Sequence, residues 1–116
     1  MSLIEDIAAL GADIEDAMGR FMDNSALYER MLRKLPKLIE EVPVMEFIES
    51  EDFDTALSNA HAIKGVVGNL SIVPLHEKYT QIMEYFRDGD FAKAREVLEE
   101  TLTLQQQIVD CINKYN

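Results

Sequence analysis

Ala60-His61-Ala62-Ile63-Lys64-Gly65-Val66-Val67-Gly68-Asn69-Leu70 carries two interleaved helical stripes. Ala60, Ile63, Val67 and Leu70 recur at i, i+3, i+7 and i+10, an apolar face at helical spacing. His61, Lys64, Gly65 and Gly68 recur at i, i+3, i+4 and i+7, a second line on the same helix. The apolar stripe can sink into a core while the histidine looks out.

Working outward, the same period recurs through the 116 residues. A first helix is expected from about Leu3 to Leu10, with Gly11 just past its end. Asp13 can cap a second short helix holding Ile14, Ala17, Met18 and Phe21. After the turn Asp23-Asn24-Ser25, a long amphipathic stretch begins at Ala26 and carries Leu27, Met31, Leu35, Leu38, Ile39 and Val42. Pro36 and Pro43 lie in its path, and each removes a backbone donor, so a kink or short break is expected at each. Met45, Phe47 and Ile48 continue the pattern to about Ser50. Glu51 and Asp52 open the helix of the opening motif, about Phe53 to Leu70. Pro74 suits the first turn of the next helix, whose apolar face is Leu75, Tyr79, Ile82 and Phe86. In Asp88-Gly89-Asp90 the glycine ends one helix and Asp90 caps the last, which runs to about Lys114. Short connections between long amphipathic helices make antiparallel neighbours. The expected fold is all-α, an up-down antiparallel four-helix bundle with short additional N-terminal helices, forming one domain over residues 1–116.

Composition narrows the function. The 22 acidic residues against 11 basic ones give a net charge of −11, which a nucleic-acid backbone or an anionic membrane surface repels. Neither is an expected partner; a protein with a basic docking surface fits better. Cys111 is alone, so no internal disulfide can form, and it reads as a small buried hydrophobe. The N-terminus lacks a basic segment followed by an apolar run, and no stretch approaches the ~18 apolar residues of a membrane span. A cytoplasmic location is expected. A monomer is expected too, because the bundle consumes one apolar stripe per helix.

The chemistry lies in the polar stripe. A neutral imidazole, with an unperturbed pKa of ~6.5, is a good nucleophile near neutral pH and can accept a phosphoryl group. The phosphoryl oxygens need a nearby cation, and Lys64 stands one turn away. A glycine in mid-helix costs about 0.5–1 kcal/mol relative to alanine, so Gly65 and Gly68 need a reason. One reason is access for a partner's acceptor group; the other is close packing against a neighbouring helix. The bland readings are a surface histidine at His61 and an ordinary solvated lysine at Lys64. His76, beside Glu77, reads as a surface or helix-terminus residue, and two histidines without cysteine make a weak metal-ligand set. No metal site is expected on the chain. Arg30, Arg33, Lys34 and Lys37 read as a local basic patch that offsets the acidic excess.

His61-Ala62-Ile63-Lys64-Gly65 followed by Gly68-Asn69-Leu70 resembles the core of the histidine-containing phosphotransfer (HPt) domains of two-component phosphorelays. Arg20-Phe21, Leu27-Tyr28 and Met31-Leu32 resemble the approach to the family's first long helix, and Asp88-Gly89-Asp90 the turn between its last two. The resemblance covers about Leu10 to Ile112. It implies a phosphorelay intermediate that shuttles a phosphoryl group between receiver-domain aspartates, with His61 the acceptor at Nε2 and Lys64 steadying the phosphoryl group. Gly65 and Gly68, with Val66 and Ile14 nearby, would form the docking face, and Leu10 and Ala17 would add apolar contact. The expected partners are response-regulator receiver domains and a hybrid sensor histidine kinase. No cofactor is expected on the chain, Mg²⁺ being held by the receiver, and no enzymatic activity of its own; the chain has no phosphate-binding glycine loop. The chain departs from the family pattern at Val66 and Val67, where small residues are usual, and at Ser71, where glycine is common. It departs again near Met83, where a polar residue commonly orients the histidine; Gln81 or Glu84 is the candidate for that role. Two other readings share the bundle: an adaptor or inhibitor that binds a receiver or kinase without being phosphorylated, and a phosphoacceptor domain of a larger chemotaxis-type kinase.

Overall fold

Five of the helices begin on a side chain that takes up one of the free amides of the first turn. Ser2 accepts from the amide of Glu5, Asp13 from Asp16, Asn24 from Leu27, Asp52 from Thr55 and Asp90 from Lys93, at 3.0–3.2 Å. The computed structural model describes residues 2–116. Its elements are α1 (Leu3–Ala9), α2 (Ile14–Arg20), α3 (Ser25–Glu41), α4 (Met45–Glu49), α5 (Phe53–Asn69), α6 (Val73–Arg87) and α7 (Phe91–Asn113). Gly89, at φ +74°, makes the turn into α7 as the sequence leads one to expect.

The proline expectation is half right. Pro43 lies just beyond the end of α3, but α3 runs without a break through Pro36. Pro36 withholds an amide from the Leu32 carbonyl. Tertiary burial outweighs that loss: Leu32, Leu35 and Pro36 itself are all buried.

The long helices α3, α5, α6 and α7 form the bundle, with α6 packed between α5 and α7 and with α3 against α7. The three-residue links from α5 to α6 and from α6 to α7 turn each helix back on the last, giving antiparallel neighbours. Ala56, Ala60, Ile63, Val67 and Leu70 are the buried line of α5, as the opening stripe requires. They meet Leu75, Tyr79, Ile82, Met83 and Phe86 of α6 in one continuous core. Buried side-chain nitrogen and oxygen atoms are all paired among the described residues. The Tyr28 hydroxyl donates to the Leu70 carbonyl at 2.7 Å, and the Tyr79 hydroxyl pairs with Gln105. No helix among the described residues is long and apolar enough to cross a membrane.

The N-terminal helices are pinned where α5 turns into α6. α1 lies on α7, and α2 lies on α3. Gly11, at φ +106°, sits against the ring of Pro74. Ala12 and Ile72 form an isolated antiparallel bridge, and the Asp13 amide donates to the Ser71 carbonyl at 2.9 Å. These links bring the polar face of α2 beside the polar face of α5.

Candidate functional site

His61 is exposed on α5, and Lys64 one turn on is half-buried. Burial of Ala60, Ile63 and Val67 fixes the roll of the helix, and that roll turns both polar residues outward. They open, with Gly65 and Gly68, into a groove of about 430 Å³ between α5, α2 and the start of α6. Lys64 has no carboxylate partner among the described residues. No cluster of three or more metal-ligating side chains occurs among the described residues.

The two glycines do different things. A Cβ added to Gly65 would meet nothing within 4 Å, so the missing side chain leaves open surface beside His61. A Cβ added to Gly68 would stand 3.0 Å from Cδ2 and 3.2 Å from Nε2 of His76. Gly68 is therefore the seat of an α6 imidazole, which is close helix packing rather than partner access.

The other wall of the groove comes from α2. The Ser71 hydroxyl donates to Asp16 Oδ2 at 2.6 Å, and Arg20 Nε donates to the same oxygen at 2.8 Å. The Ser71 hydroxyl first, and then Arg20, hold the Asp16 carboxyl below its ordinary range. Ser71 is buried at φ +55°, a left-handed conformation that favours glycine and costs a side-chain residue about 1–2 kcal/mol. The hydrogen bond to Asp16 is what a serine gains there.

A second groove, of about 390 Å³ and mostly apolar, runs beside the first between α2, α3 and α5. Phe21, Met31, Leu35, Leu38, Val66 and Leu70 line it. Arg20 and Asn69 line both grooves, so the two are contiguous. Lys34 stands at its edge. Met22, at φ +55° in the α2–α3 turn, is 89% exposed nearby in sequence to Phe21.

The structure thus brings His61, Lys64, Gly65 and Gly68 into one groove and puts Val66 in the adjoining one. It does not bring Ile14 into either. Ala17 is fully buried, and Leu10 and Ile14 pack against the core, so α2 offers Asp16 and Arg20 in their place. Nor do Gln81 and Glu84 line the His61 groove; from α6 it receives Val73, His76 and Glu77. The α6 stripe that starts at His76 continues at i+4 and i+7 with Thr80 and Met83. The Thr80 hydroxyl is committed to the His76 carbonyl at 2.8 Å, and Met83 is buried. Asp16 has no part in the sequence reading and Arg20 enters it only through the Arg20-Phe21 resemblance, although their i, i+4 spacing marks an ion pair. What it could not supply was the contact of Asp16 with Ser71, 55 residues away.

The family model of the Hpt domain matches residues 2–113. The chain belongs to the Hpt family. Hpt domains are phosphocarrier modules of histidine phosphotransfer in two-component signalling, without intrinsic catalytic activity, and they interact with receiver domains and kinases. No curated protein and no solved structure matched the chain.

Proposed function

We propose that this Hpt domain is a phosphorelay intermediate that carries its phosphoryl group on His61. The observation that carries the reading is the shared groove: His61, the unpaired Lys64 and the open surface at Gly65 face the same space. The lone pair of His61 Nε2 attacks the phosphorus of a receiver's aspartyl phosphate. The N–P bond forms as the aspartyl O–P bond breaks, and its electron pair leaves with the receiver's carboxylate; Nδ1 keeps its proton. Lys64 meets the charge on the phosphoryl oxygens. The forward step to a second receiver reverses these bonds, its aspartate attacking the phosphorus and returning the pair to Nε2. The receiver supplies the Mg²⁺, and the chain adds neither a cofactor nor a nucleotide site.

The receiver docks over α5 and its apolar side element occupies the groove of Phe21, Met31, Leu35, Leu38 and Val66. An apolar groove contiguous with a polar reaction site is the arrangement a transient protein partner needs. The upstream donor is the receiver of a hybrid sensor kinase. The domain acts as a monomer, because the core of its own bundle consumes the apolar stripes of its helices.

The test is transfer from a panel of phosphorylated receivers to the wild type and to His61→Gln. A base-stable, acid-labile phosphate on the wild type and none on the variant is the expected result. Receiver binding without label on the wild type would make the chain an adaptor, and direct labelling by a kinase core with none from receivers would make it a kinase's phosphoacceptor domain.

A further inference from the structure

The reactive groove has a second cation besides Lys64. Arg20 reaches it from α2, and its guanidinium meets Asp16 through Nε alone. That leaves the four N–H bonds of the two terminal nitrogens for another acceptor. Asp16 is held in turn by the Ser71 hydroxyl, at a backbone position where a serine is strained. The α2 backbone is fixed to the same turn by the Ala12–Ile72 bridge and the Asp13–Ser71 hydrogen bond. The guanidinium is therefore oriented from behind by a fixed carboxylate, the way an arginine is set for an anion. In a chain of net charge −11, a pre-oriented arginine and an unpaired lysine on the groove that holds His61 form a local site for a dianion.

We propose that Arg20 binds the phosphoryl oxygens of phosphorylated His61 opposite Lys64, with Asp16 and Ser71 as its positioning residues. This rests on His61 being the acceptor. Planar, forked donors suit phosphoryl oxygens better than a point charge does. The phosphoryl group of the phosphohistidine is a dianion, and in a loose, metaphosphate-like transition state it carries less net charge, spread over its three oxygens. A cation on them therefore favours the phosphohistidine over the transition state of its hydrolysis, in which water attacks phosphorus and the N–P electron pair returns to Nε2. Arg20 would lengthen the life of the carrier between partners.

The experiment phosphorylates the full chain with phosphoramidate, removes the donor and follows the ³¹P signal without any receiver. Wild type, Arg20→Gln, Arg20→Lys and Asp16→Asn are compared, each checked for native helicity. Arg20→Gln is expected to shorten the phosphohistidine lifetime about tenfold, the effect of losing one charge-assisted hydrogen bond, and to move its ³¹P shift. Arg20→Lys, a cation without the fork, should recover part of the lifetime, and Asp16→Asn should lose part of it. An unchanged lifetime and ³¹P shift in Arg20→Gln would overturn the proposal, and a raised KM for a receiver in the same variant would then make Arg20 a docking residue. Label on the wild type but not on His61→Gln keeps the acceptor assignment standing whichever way Arg20 behaves.

Discussion

Gly68 and His76 are a matched pair across α5 and α6: a Cβ on the glycine would stand 3.0 Å from the imidazole Cδ2. Gly65, three residues earlier, faces nothing within 4 Å. Both glycines carry the same helix-propensity penalty, about 0.5–1 kcal/mol relative to alanine. Gly65→Ala should therefore recover it and raise the unfolding free energy by about that amount. Gly68→Ala should show no gain, because the ring must yield, and adding His76→Ala should release it. A double-mutant cycle in urea measures this, with a coupling of about 0.5–1 kcal/mol between positions 68 and 76. No coupling would mean that the ring swings aside freely.

Partner access can be read cleanly only at Gly65. A leucine there fills open surface beside His61 without touching the core. The domain should remain folded and uptake of phosphate from a receiver should fall by at least about tenfold, a clash at the reacting centre being worth over 1.4 kcal/mol. Phosphoramidate, a small donor, should still label His61 in this variant. Equal losses with both donors would place the fault in the histidine itself rather than in docking.

Gly11 is required by its backbone. At φ +106° a side chain is strained, and a Cβ would lie 2.4 Å from Cγ of Pro74. Gly11→Ala should cost at least about 2 kcal/mol, combining left-handed strain with displacement of the ring. Because this contact seats α2 beside the groove, thermal unfolding of Gly11→Ala should begin several degrees below that of the wild type. A midpoint equal to the wild type's would show that the α1–α2 turn is not part of the cooperative unit.

Much of this architecture is written locally. The caps at Asp13, Asn24, Asp52 and Asp90, the left-handed Gly89 and the buried line Ala60–Ile63–Val67–Leu70 each depend on residues within a few positions. The break anticipated at Pro36 is absent because burial of Leu32 and Leu35, a tertiary effect, outweighs one missing hydrogen bond. The histidine, the lysine and the glycines of the site were legible as a stripe, but the division of labour between Gly65 and Gly68 was not, since it depends on which of them α6 crosses. The place of Asp16 in the site is hidden for the same reason: Ser71 joins it from 55 residues away. Gln81 and Glu84 lie within two residues of Met83 in sequence, but the roll of α6 leaves them outside the groove.

Tyr28 couples the bundle to alkaline pH. Its buried hydroxyl donates to the Leu70 carbonyl, and burial pushes its pKa up to about 12. Burial also raises Tyr79. A folded-state pKa above the unfolded value of ~10 favours the protonated, native form. The stabilisation is complete below pH ~10 and is lost as pH rises through about 12. Unfolding midpoints should fall over that window. Tyr28→Phe should cost about 1–2 kcal/mol at neutral pH, since it leaves the Leu70 carbonyl unpaired, and should flatten part of the alkaline loss. An alkaline profile unaltered by the substitution would assign the whole effect elsewhere.

Lys34 lies on the edge of the apolar groove, and neither it nor Arg30, Arg33 or Lys37 is ion-paired among the described residues. The patch therefore does not neutralise the chain's own acids by direct contact, and it stays available to an acidic partner. A rim charge acts mainly on the association rate and on its salt dependence. Lys34→Glu should slow capture of a phosphorylated receiver about three- to tenfold at low salt, with the difference shrinking toward 0.5 M salt as screening sets in. The lifetime of phosphorylated His61 in the absence of receiver should not change, because Lys34 lines the docking groove and not the reactive one. Stopped-flow transfer at several ionic strengths reads both quantities, and a rate independent of charge at position 34 would move the docking surface away from α3.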